Sequence, residues 1–232
     1  MRVGIGVATG ADAVFIGKDL DVEDERKLPL VTTRDIRDGT INWHGQWVLN
    51  PFEPDGSLAS LHRYPRFARY VEQRRERIEG RNVAKRNPTG WYRTIDRIHE
   101  TLTHTPKLLI PDIKGSAHVV HDSGRYYPHH NLYHITSNSW DLIALRTVLS
   151  SRVALAFMIA YSPRMRGGHL RFQAQYLRRI RLPAWADVPA SLRRALAAGP
   201  SQAEAAVREL YRLDETEWAL LGKAGTPARI DS

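Results

Sequence analysis

Cysteine is absent from the 232 residues. Its absence excludes disulfides, thiolate nucleophiles and cysteine-ligated zinc, and it fits a reducing, cytoplasmic setting. Long apolar runs are missing as well. No stretch approaches the ~18 consecutive apolar residues that a membrane span requires. Arg2 is followed by only a few apolar residues before Asp12, so no secretory signal pattern is expected. Acidic residues are scarce in one place: within 115–183 they are Asp122 and Asp141, against nine Lys and Arg.

What the chain does have is positive charge, unevenly spread. The net charge is +9 at pH 7. Residues 1–60 are net −4 and residues 184–232 net −1, while 61–114 and 115–183 are each net +7. A long basic block therefore lies between two mildly acidic ends. It reads either as a solvated arginine-rich surface or as a surface for a polyanion, since Lys and Arg bind phosphates by releasing counterions.

The coarse pattern is α+β: a mixed or antiparallel sheet region, a long helical region and C-terminal amphipathic helices. Val3–Val7 and Ala13–Ile16 read as two strands around a tight turn, and Leu28–Thr32 as another strand. The stretch 34–52 reads as a hairpin turning at Asp38-Gly39. Apolar spacing predicts a helix from Tyr64 to about Glu79, stopped by Gly80. "PKLLIPDI", "HVVHD" and "NLYHIT" read as strands. A helical region opens at Ser139, an N-cap candidate, and bends near Ser150-Ser151. Three short helices, with caps at Ser201 and Asp214 among them, end the chain. The expected division is 1–185 as one domain and 186–232 as a helical appendage.

Each candidate site has a plain alternative. Gly4, Gly6 and Gly10 open the chain like a nucleotide cradle, but the spacing is GxGxxxG and the turn leads into β-branched residues rather than a helix, so a hairpin is expected. Asp112 and Lys114 of "PDIKG", with Asp96, mimic a Mg²⁺-dependent nuclease signature; the default is a strand-end turn. His129, His130 and His134 lack a nearby acid to complete a metal shell, and no metal is expected. His129, His130 and Asn131 suit phosphates and base edges better. The basic and aromatic stretches carry the remaining candidates for nucleic acid. Lys85, Arg86, Trp91, Arg93 and Arg97 lie in "AKRNPTGWYRTIDR" and Arg164, Arg166, Arg171 and Gln173 in "SPRMRGGHLRFQAQ", while Lys114 belongs to "PDIKG". Arg can grip guanine in bidentate fashion and Gln adenine.

"VGIGVATGADAVFI", "WYRTIDRI", "PKLLIPDIKG", "YYPHHNLYHIT", "LSSRVALAF" and "RMRGGHLRFQAQYLRRIRLP" together resemble the C-terminal specificity domain of adenine-specific DNA methyltransferases of restriction–modification systems. The likeness is to the TaqI-like or type IIG-like group and covers about residues 1–185. It implies a domain that grips duplex DNA while a flipped adenine is methylated elsewhere. It also implies S-adenosylmethionine as cofactor of a separate catalytic domain or subunit, and no membrane. The family's Asn-Pro-Pro-Tyr/Phe motif is not here: "NPF" at 50–52 and "NPT" at 87–89 are the only Asn-Pro pairs. No catalytic residue is therefore expected in this chain. Lys85, Arg86, Arg93, Arg97 and Lys114 are expected to hold phosphates. Arg164, Arg166, Arg171, His129, His130 and Asn131 are expected to read. The alternatives are a nuclease using Asp96, Asp112 and Lys114, or a protein-interaction module built on the helices.

Overall fold

The computed structural model describes residues 1–37, 39–111, 113–114, 119–161, 170–171, 174–200 and 203–224, with backbone only at 113, 114, 170, 171, 223 and 224. Strand β1 (Arg2–Ile5) opens the chain, and a turn leads to a single helical turn, α1 (Asp12–Phe15), then β2 (Ile16–Gly17). The expected opening hairpin does not form. Val14 and Phe15 both enter one core, which a helical turn allows and a strand, sending neighbours to opposite faces, does not. Strand β3 (Lys27–Val31) falls where an apolar run predicts one. The short hairpin of β4 (Ile36–Arg37) and β5 (Thr40–Ile41) follows, and β6 (Trp47–Leu49) returns beside β3.

The pattern from Tyr64 to Glu79 becomes two helices, α2 (Pro65–Glu72) and α3 (Arg75–Glu79), broken at Gln73–Arg74. Pro65 starts α2, and Phe67, Tyr70, Val71 and Ile78 form the buried stripe. One-turn helices α4 (Asn82–Lys85) and α5 (Thr101–His104) lead to β7 (Lys107–Pro111), β8 (Ile113–Lys114), β9 (Val120–Asp122), β10 (Tyr127–Pro128) and β11 (Leu132–Thr136). Helix α6 (Leu142–Leu149) is capped by Asp141, whose Oδ1 accepts from Ala144 N at 2.8 Å, and not by Ser139. Ser139 instead sits in a turn held by Ser137 Oγ. Helix α7 (Arg152–Tyr161) departs at 59° after the expected bend. Strand β12 (Leu170–Arg171) and helices α8 (Ala174–Leu177), α9 (Ala190–Ala197), α10 (Glu204–Leu210) and α11 (Glu215–Ala224) follow. Asp214 caps α11 by accepting from Glu217 N at 2.8 Å, while Ser201 lies outside the described residues.

Two four-stranded sheets organise these elements. The first has the order β1-β11-β7-β9 and is antiparallel throughout. The second has the order β10-β3-β6-β2, mixed because β10 runs parallel to β3. One face of the first sheet packs on α6, and the same core continues through α7, α9 and α10 by way of Leu145, Met158, Leu196 and Val207. The second sheet packs Leu49 on Phe67, Val71 and Ile78. Each such fully buried side chain contributes about 1.5–3 kcal/mol. Among the described residues, no single helix is long and apolar enough to cross a membrane.

The chain passes between the two sheets at two places that touch. Residues 6–15 leave β1 for β2, and residues 128–131 leave β10 for β11. They are stitched at Val7: Val7 N donates to Pro128 O (2.9 Å) and His130 N to Val7 O (3.0 Å). Gly6 is required by this approach, because a Cβ there would lie 2.2 Å from His129 O. Gly10 turns the first passage at φ 77°, which glycine adopts without strain.

Candidate nucleic-acid interface

The stitched passages form one wall of a cleft of about 920 Å³, and residues 32–46, the excursion between β3 and β6, form the other. Inside it, acids and neutral polar groups are locked together. Asp35 is buried at the end of a turn begun by Thr32, whose N and Oγ1 both donate to its carboxylate. His44 donates to Asp35 from its backbone N, and its Nδ1 lies 2.7 Å from Asp35 Oδ1. That contact fixes the ring so that Nε2 is the free nitrogen. Burial pushes Asp35 up, but the hydrogen bonds from His44 and Thr32 outweigh it and hold the carboxyl below its ordinary range.

Asp12 repeats the arrangement on the other wall. Thr9 Oγ1 donates to its Oδ1, and His129 Nε2 lies 3.1 Å from its Oδ2. Burial raises this carboxyl, yet Thr9 and His129 together pull it below the usual value. Next to it, Asn131 donates from Nδ2 to Thr33 Oγ1 at 3.1 Å, tying one wall to the other. Asn131 Oδ1 and His129 Nδ1 are buried without a hydrogen-bond partner. At the rim, Lys18, Arg34 and Arg37 are exposed, and none has an ion pair among the described residues.

Asp12, His129 and His130 bring three potential metal-ligand atoms within 4.8 Å. Asp12 is the acid that sequence spacing could not supply, since it lies 117 residues from His129. Both oxygens of Asp12 are already engaged by Thr9 and His129, so the group serves here as a hydrogen-bonded strut between the passages.

The other sequence candidates scatter. Trp91 is 6% exposed and packs in the core around Phe67 and Tyr92, with the Arg75 guanidinium over its ring; it presents nothing to a ligand. Burial of an aromatic between basic residues is the ordinary outcome that the loop composition concealed. Lys85 and Arg86 are exposed, whereas Arg93 is half-buried. Arg97 donates to Asp55 O across a turn. His130 is exposed beside His129, their ring centroids 4.0 Å apart. Lys114 and Arg171 are described only as backbone positions of the paired strands β8 and β12. Arg164, Arg166 and Gln173 lie outside the described residues, as does Asp112 of the nuclease alternative. Asp96 accepts from Ala8 N at 2.8 Å. The structure thus brings His129 and Asn131 together with Lys18, Arg34, Arg37, His44 and Gln46, residues of the acidic N-terminal quarter that charge counting passed over.

Two solved restriction–modification enzymes contain a part with this fold. The Type IIL restriction-modification enzyme MmeI in complex with DNA superposes with a TM-score of 0.67 at 13% identity, over 97% of this chain and 35% of that one. The type IIG restriction endonuclease BpuSI gives 0.54 at 13% identity, over 97% and 29%. At such identity the likeness concerns the fold alone. Sequence narrows it: the model of the TaqI-like C-terminal specificity domain matches residues 28–182, and the chain belongs to that family. It is 56% identical over 231 residues to the Type II methyltransferase M.PaeR7I of Pseudomonas aeruginosa, 97% of this chain and 40% of that protein. It is 57% identical over 223 residues to M.XhoI of Xanthomonas vasicola, and 46% over 230 residues to M.BstVI of Geobacillus stearothermophilus. The chain spans about two-fifths of the length of these relatives.

Proposed function

We propose that this chain is the sequence-reading part of a site-specific N6-adenine DNA methyltransferase of a restriction–modification system, working in the cytoplasm. Its ligand is double-stranded DNA. Methyl transfer, with S-adenosylmethionine as donor, belongs to a catalytic domain or subunit outside these residues. The observation that carries the reading is membership of a specificity-domain family whose matched relatives are longer type II methyltransferases. The absence of an Asn-Pro-Pro-Tyr/Phe block from the sequence and a net charge of +9 agree with it.

Phosphate contacts fix such a protein on the duplex, and base edges supply the sequence information. Lys85 and Arg86, exposed on α4 and its C-terminal cap, suit the first task. The reading is tested by titrating the chain into a fluorescently labelled duplex over a salt series. Affinity falls at least about a hundredfold between ~50 and ~200 mM monovalent salt if several phosphates are neutralised. Salt-independent binding, or none at low salt, overturns it.

A further inference from the structure

Exposed cations without ion pairs among the described residues and oriented polar side chains line the same cleft. The rim is charged: Lys18, Arg34 and Arg37 extend into solvent. Of the other lining residues, Gln46 and Asn131 are half-buried and His44 is exposed. Each of the three has a free hydrogen-bonding group among the described residues. His44 is held through Nδ1 by Asp35, which leaves Nε2. Asn131 is held through Nδ2 by Thr33, and its Oδ1 is buried without a partner. The Gln46 backbone carbonyl takes Trp43 Nε1 at 3.1 Å, while its amide side chain has no partner in these residues. Asp35, which is buried, and Asp12, whose side chain is half exposed, are each held by a histidine, so both carboxylates of the cleft are already partnered.

A duplex carries its phosphates outermost and its base edges deeper, and Asn, Gln and His side chains suit the donor and acceptor pattern of those edges. The β4–β5 ribbon stands beside the cleft, carrying Arg37 and following Arg34 directly. A two-stranded ribbon is one of the shapes that the major groove admits. Arg146 of α6 donates to Gly39 O at 3.0 Å, bracing the ribbon's turn against the helical part.

We propose that this cleft is where base identity is read, with His44, Gln46 and Asn131 addressing base edges and Lys18, Arg34 and Arg37 the flanking phosphates. Lys85 and Arg86 then bind the backbone without discriminating. The assignment rests on the duplex-reading function above and adds where in the molecule specificity resides.

The test starts by selecting preferred duplexes from a randomised pool with the intact chain. Wild type, Q46A, N131A, R34A, R37A and the double variant K85A/R86A are then titrated with the selected duplex and a scrambled duplex of equal length, over a salt series. Q46A and N131A are expected to lose about tenfold or more on the selected duplex and nothing on the scrambled one. R34A and R37A lose affinity on both and lower the salt slope by about 1 each; K85A/R86A also weakens both equally and keeps the ratio. Thermal melting of each variant identifies any N131A loss that comes from unfolding, and Q46A, whose side chain anchors nothing described, carries the test in that case. A specificity ratio unchanged within twofold in Q46A and N131A, or one that collapses in K85A/R86A, overturns the cleft assignment while duplex binding by the chain still stands. Failure of the wild type to bind any duplex in a salt-sensitive manner instead removes the underlying function.

Discussion

The cleft and the stretch 61–114 use arginine in opposite ways. In 61–114, Arg66 bonds Asp21, Arg75 reaches Glu72 and Glu79, and Arg97 holds Asp55 O. Arg81 goes furthest, donating to the carbonyls of Thr9, Ile78, Trp91 and Arg93 at 2.7–3.1 Å. Its partial burial lowers its pKa from the ordinary value. At the cleft rim, Arg34 and Arg37 have no such internal duties among the described residues. Net charge therefore counts cations without saying which are available. The segment 61–114, net +7, holds part of its charge in internal wiring, while the segment with net −4 also supplies free guanidinia, its acids Asp12 and Asp35 being occupied by histidines.

The sharpest break of that comparison is a cation with no access to solvent at all. Lys107 and Asp122 form an ion pair at 2.7 Å with side chains 0% and 1% exposed. Burial pulls the Lys107 ammonium down, against the opposing pull of Asp122. Lys107 Nζ also donates to the carbonyls of Leu102, Thr103 and Thr105. K107M leaves Asp122 charged and buried, so it is expected to cost about 3–5 kcal/mol in chemical denaturation. A loss below about 1 kcal/mol would show that Asp122 finds solvent or other donors.

A smaller effect separates the dry histidine from the partnered ones. His134 lies against Lys107, and burial first, then that charge, lowers its pKa from 6.5 to about 4. In the unfolded chain it takes a proton near pH 6.5, while in the fold it stays neutral until about pH 4. Stability therefore falls as pH drops through that window, by up to about 3 kcal/mol, and levels off below it. H134N should flatten this part of the stability–pH curve. An unchanged slope would place the titration elsewhere.

The smallest contrast is the most direct. R81A removes a charged donor from four carbonyls and is expected to lower stability by about 2 kcal/mol. R37A should leave the denaturation midpoint in place. Equal midpoints for the two variants would erase the distinction between wired and free arginines.

Regular elements were legible wherever one periodicity held. The apolar strands at 107–111, 120–122 and 132–136 and the bend at Ser150-Ser151 stand where the pattern puts them. The opening glycines do not belong to a hairpin, since β1 pairs with β11 more than a hundred residues away. Trp91 was placed at the interface because its neighbours are basic, and only the packing around Phe67 shows it turned inward. The cleft itself could not be read in advance. It depends on two contacts, Asp12 with His129 and Thr33 with Asn131, that join residues 117 and 98 positions apart.

The strands β3 and β6 pair from Lys27 with Leu49 to Pro29 with Trp47, closing the sheet beneath the excursion 32–46. The excursion is tied back at several points: Leu30 N donates to Gln46 O, Ile36 is buried, and Ile41 and Trp43 pack on the same core. Because Gln46 reaches Leu30 through its backbone carbonyl, its side chain is exchangeable without loosening the sheet, which is what a proposed reading position needs.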